Sequence, residues 1–339
     1  MKKIYFYPIS ARNDRIVSFN PYTFDFVDAL QNHYSVVNKN MPSTKGILDL
    51  YRYLFKIDYI VLNWIEDLPE KQGGFFQTMF LLIIMSMSKI LGVKIIWVMH
   101  NKLSHSKDHE WLKKKIFNQL VKKSDYIIAH SSEGIEYVGG IEPGSTERIH
   151  YWPHPVKDRR KKSLEEFKID ILIWGTLAPY KGILEFLQLI HESNLEHKYR
   201  IFIIGKSSSK EYLDSLSKYT NESIIIKDDF VDDHALQELC SKSKIVLFTY
   251  AKSSILSSGA LMDSIGFGAN VIGPEVGAFS DLAKEGIIKT YHDTNELFAI
   301  LDDQLSKPNP SVSERIDDFL QANSWSRFGE NLHKLLAQK

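Results

Sequence analysis

At 339 residues the chain exceeds one ordinary core, and at about 150 residues per domain two are expected. Lys plus Arg and Asp plus Glu stand at 42 each, so no net field draws the chain to nucleic acid; 44% apolar and 25% charged residues exclude a disordered or fibrous chain. The single cysteine, Cys240, excludes an internal disulfide framework and reads as a packing residue of a helix near 234–243.

The opening MKKIYFYPIS is too short in its apolar part for a signal peptide and predicts a first strand over 4–7. A helix starting near Tyr22 would bury Phe24, Val27, Ala29 and Leu30, and a second strand begins at Val36. Helix 48–55 and a short buried strand over 59–62 follow. Residues 75–91 are the most apolar segment, but Gln77, Ser86, Ser88 and Lys89 interrupt a run already short for a bilayer span; a buried core helix is expected, with an interfacial membrane role as the alternative. Strand 93–99 closes on His100, helix 110–121 points Trp111, Ile116, Phe117 and Leu120 inward, and strand 126–129 comes next. Strands alternating with helices predict right-handed crossovers and a parallel sheet.

WPHPVKDRRKKSLEEFK breaks this pattern with prolines and basic residues, as a linker would. Alternation then resumes: strand 169–174, helix 184–190, strand 200–204, helix 210–219, strand 223–226 and helix 234–241. The expected domains are residues 1–155 and 156–320, with 321–339 carrying a terminal helix (325–337) that packs back toward the first. The fold class is α/β, two Rossmann-like parallel-sheet domains facing across a cleft at the carboxyl ends of both sheets, where such folds bind ligands.

The most informative stretch is IVLFTYAKSSILSSGALMDSIGFGANVIGP. A buried strand at 245–248 leads through a polar loop to Ser257, Ser258 and Gly259, hydroxyl cap candidates and a glycine ahead of an apolar helical pattern. Such a helix start aims free N–H groups and a positive dipole end at an anion, although a plain helix cap has the same sequence signature. Gly175, Thr176 and Lys181 follow the strand ending at Trp174, and Gly205 ends the next one; glycine lets backbone approach a phosphate closely and lysine adds a compact charge. In the first half, Trp64 and Glu66 follow one strand end, His100 and Asn101 another. A desolvated carboxylate or imidazole there could take a proton from an attacking hydroxyl. His105, His109 and His154 are further candidates, but no His, Asp or Glu spacing suits a metal, so none is expected.

Taken together, DYIVLNWIED, KIIWVMHNKLSH, SDYIIAHSSEG, HYWPHPV, GTLAPYKGILEF, IFIIGK, the 245–274 stretch and SWSRF resemble, in order and spacing, the GT-B glycosyltransferases of the family-four type over nearly the whole chain. The resemblance implies sugar transfer from a nucleotide-diphosphate sugar, a substrate rather than a resident cofactor, to a hydroxyl of a glycan or lipid-linked acceptor in surface polysaccharide synthesis. It assigns donor binding to Gly175, Thr176, Lys181, Gly205, Tyr250, Lys252, Ser257, Ser258, Gly259 and Asp263, with Lys181 on the diphosphate and Asp263 on the ribose. Acceptor binding would fall to Asn20, Trp64, Asn101, His105 and His154. Catalysis is read from strand-end position instead, with Glu66 as base and His100, which also matches the family's acceptor-half histidine by motif position, positioning the acceptor. Two positions depart from the family pattern: Ile255 stands where a glutamate is common and Thr176 where an arginine often follows the glycine. A nucleotide-sugar epimerase and an inactive sugar-nucleotide binding module are the alternative readings. Seven lysines between Lys102 and Lys123 face only Asp108 and Glu110, which suits a cytoplasmic enzyme touching the inner membrane face but equally a solvated helix.

Overall fold

A parallel sheet must be covered on both faces, so its strands read as unbroken apolar runs and every crossover must deliver a helix. The computed structural model describes residues 1–9, 21–41, 43–101, 108–161, 167–250, 256–307 and 314–338. By internal packing the chain divides into unit 1, Met1–Pro153 with Ser254–Ser257 and Trp325–Lys339, and unit 2, His154–Ser253 with Ser258–Ser324.

Unit 1 comprises β1 (Lys3–Tyr7), α1 (Pro21–Leu30), β2 (Ser35–Val36), β3 (Tyr59–Asn63), α2 (Gly74–Met87), β4 (Lys94–Met99), α3 (Glu110–Lys123), β5 (Tyr126–Ala129), α4 (Ser132–Ile141) and β6 (Ile149–Tyr151), with 3₁₀ helices at Gly46–Arg52 and Ile65–Glu70. Its parallel sheet runs β2-β1-β3-β4-β5-β6. Alternate side chains serve opposite faces. Tyr5, Leu62, Trp97 and Met99 join one core; Phe6, Val61, Val98 and Ile128 join the other.

Unit 2 comprises β7 (Ile169–Trp174), α5 (Ile183–Glu192), β8 (Ile201–Ile204), α6 (Lys210–Ser217), β9 (Ile224–Lys227), α7 (Asp233–Ser241), β10 (Ser243–Leu247), α8 (Gly259–Gly266), β11 (Val271–Pro274), α9 (Gly277–Lys284), β12 (Lys289–Tyr291), α10 (Thr294–Ser306) and α11 (Ile316–Ala322). Its parallel sheet runs β12-β11-β10-β7-β8-β9, the doubly wound order whose direction reverses between β7 and β10. Cys240 is a free, buried thiol that burial pushes up to about 12, so it is packing material and not a nucleophile.

The final helix, α12 (Trp325–Ala337), belongs to unit 1, where Phe328, Leu332 and Leu336 fill the core beside Phe26 and Leu30 of α1. Three inward assignments are corrected. The apolar run 75–91 predicts a buried core helix, yet α2 buries only Gly74, Gln77, Thr78, Leu81, Ile84 and Met85, while Phe75, Phe76, Ile83 and Met87 are exposed. Trp111, expected inward, is 62% exposed, because the buried face of α3 runs Leu112, Ile116, Phe117, Leu120 and Trp111 lies one residue out of phase. In α1 the buried phase is Tyr22, Thr23, Phe26, Val27 and Leu30, which leaves Phe24 and Ala29 only partly covered.

Helix α12 approaches α1 so closely that a Cβ at Gly329 would lie 2.4 Å from the Ala29 carbonyl oxygen. Gly329→Val should therefore cost roughly 1–3 kcal/mol in urea unfolding, as overpacking does; a loss within experimental error would mean that α12 does not need this contact.

Candidate functional site

In doubly wound sheets ligands gather at the carboxyl edge where strand order reverses. In unit 2 that point lies between β7 and β10, paired at Ile171↔Ile245 and Leu172↔Val246. After β7 the chain turns at Gly175, whose φ of +99° favours glycine, and passes through Thr176, which is exposed. Leu177 then bridges to Ser207, and the 3₁₀ helix Pro179–Lys181 buries Lys181. The Lys181 ammonium stands 2.8 Å from where a Gly175 Cβ would be and 5.4 Å from the centroid of the Tyr250 ring, which stacks on Tyr180. Thr249, following β10, donates to the Lys181 carbonyl at 2.6 Å. No carboxylate pairs with this ammonium among the described residues, and burial lowers its pKa, with Tyr180 opposing.

Tyr250 leads on to α8. Its hydroxyl lies 3.1 Å from Ser258 Oγ, and Ser258 caps the helix by accepting from the Leu261 N–H at 3.3 Å. Gly259, which is exposed, opens α8, and a Cβ there would meet nothing within 4 Å among the described residues. Gly205 is buried where β8 ends and Ser257 is half-buried. Asp263 lies farther along α8, where Arg159 donates to its Oδ1 and also pairs with Asp233 at 2.7 Å. Burial raises the Asp263 pKa and Arg159 opposes the rise.

In unit 1 the order reverses between β1 and β3, where Asn63 donates to the Tyr7 carbonyl at 3.4 Å. With its amide nitrogen so engaged, Asn63 accepts from His100 Nε2 at 3.2 Å. Trp64 adopts φ 45°, rare for a bulky residue, and stacks on His100 with centroids 4.1 Å apart. Tyr22 meets His100 edge-on at 4.9 Å and donates to His130 Nε2 at 2.8 Å, while His130 Nδ1 donates to the Trp152 carbonyl at 2.9 Å. His130 was not singled out from the sequence, although it ends β5 as His100 ends β4; strand-end position was the available signal.

Glu66, in the first turn of the following 3₁₀ helix, is 3% exposed, and neither carboxylate oxygen has a hydrogen-bond partner among the described residues. Burial lifts its pKa to about 8, its own N–H opposing and the Asp67 charge adding to the rise.

No family model matches the chain, and no curated protein matches its sequence. The comparison with solved structures is different. Alr3699/HepE from Anabaena in complex with UDP aligns over 100% of both chains with a TM-score of 0.73 at 11% identity, and its complex with UDP-glucose over 100% of both at 0.72 and 12%. AviGT4, a glycosyltransferase involved in avilamycin A biosynthesis, covers 98% of this chain and 96% of its own at 0.62 and 13%. The fold is GT-B.

On this GT-B chain, unit 2 gathers Gly175, Lys181, Tyr250, Ser258 and Gly259 near one sheet edge, with Asp263 held by Arg159 farther down α8. Unit 1 brings Trp64 and His100 into contact, and Asn101 follows His100, half-buried. His154 is half-buried in unit 2; its Nδ1 donates to the Pro155 carbonyl at 2.8 Å and burial pushes it down to about 4, so it is neutral. Asn20, His105, Lys252 and Ile255 lie outside the described residues. Among the described residues no His, Cys, Asp and Glu cluster could hold a metal ion, and no helix is long and apolar enough to cross a membrane.

The Glu66 carboxyl makes a stability prediction. Unfolded, it ionises near its ordinary 4.5; folded, near 8. Between those values the unfolded chain sheds a proton that the folded one keeps, so this group's contribution falls as pH rises, by about 1.4 kcal/mol per unit at most, and levels off above pH 8. Urea titrations across that range should show the decline in the wild type and a shallower one in Glu66→Gln. Parallel profiles would mean that Glu66 is solvated.

Proposed function

We propose that the chain is a metal-independent glycosyltransferase that moves a sugar from a nucleotide-diphosphate donor to a hydroxyl of a glycan or lipid-linked acceptor. The observation that carries this reading is the buried, unpaired Lys181 ammonium at the strand-order reversal of unit 2, beside the open N-terminus of α8. A buried cation without a counterion is an unfavourable element of a fold and a favourable one for an arriving anion. Lys181 and the backbone at Ser258 and Gly259 would hold the diphosphate. The fold's likeness to proteins crystallised with UDP and UDP-glucose makes a uridine nucleotide the first donor to test. Arg159 fixes Asp263 through Oδ1, leaving Oδ2 for ribose hydroxyls. The motif order favours the family-four type, a hexosyl donor and a cytoplasmic polysaccharide pathway.

For the acceptor we assign Glu66 as general base and His100, steadied by Asn63 and Trp64, as the group that positions the hydroxyl. A carboxylate lifted to about 8 is matched to proton abstraction near neutral pH, which an ordinary one is not. An inactive binding module would share the donor site but has no use for a base, so the orphan carboxylate of Glu66 favours an enzyme; an epimerase would need its base at the donor's own sugar ring and no acceptor.

Two measurements test the reading. Lys181→Ala should weaken UDP binding by roughly 1–3 kcal/mol in calorimetry while the protein stays folded; unchanged affinity would remove Lys181 from the donor site. As a base, Glu66 must be ionised, so kcat/KM should climb with pH through about 8. Glu66→Gln should lose ~10²–10⁴ in turnover and flatten that climb. A wild-type profile that falls over the same range, or a variant of normal turnover, sinks the assignment, and release of nucleotide without acceptor would favour another activity.

A further inference from the structure

One side of α2 is apolar and exposed. The helix carries no charged residue from Gly74 to Met87. Phe76 is 72% exposed, Ile83 56% and Met87 41%, and Ile90 just beyond is 84% exposed. These four recur at helical spacing, so they form one stripe, of the kind a soluble domain ordinarily turns inward. An open groove lined by Met79, Leu82, Ile83, Met87, Lys115 and Gln119 joins this side of α2 to α3. On the same side of α3, the exposed Trp111 stands one turn before Lys115, and Lys122 two turns after it. Glu110 is engaged with Lys114 at 2.6 Å, whereas Lys89, Lys115, Lys122 and Lys123 have no carboxylate partner among the described residues.

We propose that the apolar stripe of α2 and the basic face of α3 beside it dock the chain on an anionic lipid bilayer. An apolar strip bordered by unpaired lysines and a tryptophan has the composition of a helix lying in the interface plane: the strip enters the acyl boundary, the lysine stems reach along it, and the ammonium groups meet lipid phosphates. At 14 residues α2 is too short to span, so the contact is peripheral. A second copy fits less well, because an isologous pairing of this face would set lysines against lysines. Protein interfaces are also depleted of lysine. The lysine-rich segment of the sequence thus acts together with a helix that composition alone assigns to the core.

The test is co-sedimentation of the full chain with vesicles of phosphatidylcholine alone or mixed with phosphatidylglycerol. With neither donor nor acceptor present, the assay can fail while the transfer reading stands. Binding should require the anionic lipid and weaken with salt. Ile83→Asp, at an exposed position that leaves folding intact by circular dichroism, should reduce partitioning about tenfold or more. Lys115→Glu and Lys122→Glu should each reduce it at least about fivefold and lessen the salt dependence. Absence of binding, or binding indifferent to all three substitutions, overturns the proposal. So does a wild-type dimer that Ile83→Asp converts to monomer in sedimentation velocity, since the face would then belong to a second copy.

Discussion

Two glycines at neighbouring strand ends decide what unit 2 can present. A Cβ at Gly205 would lie 1.7 Å from the Gly175 carbonyl oxygen, so β7 and β8 close together only because residue 205 has no side chain. A Cβ at Gly175 would in turn lie 2.8 Å from the Lys181 ammonium. The Gly175 N–H donates to Ile204, Leu177 donates to Lys206, and Lys181 follows at a fixed distance from the sheet edge. The ammonium is therefore placed by backbone, and no carboxylate pairs with it among the described residues. Stacking of Tyr180 on Tyr250 and the Tyr250 hydroxyl on Ser258 extend that order to the start of α8.

Unit 1 meets the same topological requirement with different chemistry. Its strand-order reversal is filled by Asn63, Trp64, His100, Tyr22 and His130, joined by two imidazole hydrogen bonds and a set of ring contacts. Trp64 is held at a left-handed φ that costs of order 1–3 kcal/mol, and its ring stacks on His100. That turn also sends Ile65 and Leu68 into the core, which draws the chain down and buries Glu66 between them. The burial of one carboxylate is thus a consequence of how β3 ends.

The strands were legible because a covered parallel sheet leaves apolar runs that polar loops bracket, as at residues 59–63, 94–99 and 245–247. The α8 start was legible because Ser258 caps it by a local rule. Helix phase was less so. In α2 nearly every residue is apolar, so composition cannot say which side faces solvent, and in α3 the neighbouring Leu112, not Trp111, holds the buried phase. The elements α4, α9 and α10 went unread for want of a long apolar stripe, and β6 and β12 because each has three residues. At the site, residue type and strand-end position marked Lys181, Glu66 and His100. The partners Asn63, Tyr22, His130 and Arg159 are distant in sequence, and only the fold brings them close.

Lys181 and Glu66 are opposite in charge and similar in predicament. Burial moves both toward their neutral forms, the lysine pKa down and the glutamic acid up, and no salt bridge offsets either among the described residues. Structural ion pairs would have done the reverse, holding a lysine above and a carboxylate below the ordinary value. A chain selected for stability alone gains nothing from either arrangement, since replacing an uncompensated buried charge by an apolar residue of similar volume is commonly neutral or better. The two strains are also relieved by different events. An anion that reaches Lys181 favours its charged form and stabilises the bound state through linkage, whereas Glu66 is relieved by keeping its proton. Under the proposed function, an anion at Lys181 would work with the fold's electrostatics, whereas ionising Glu66 would work against them.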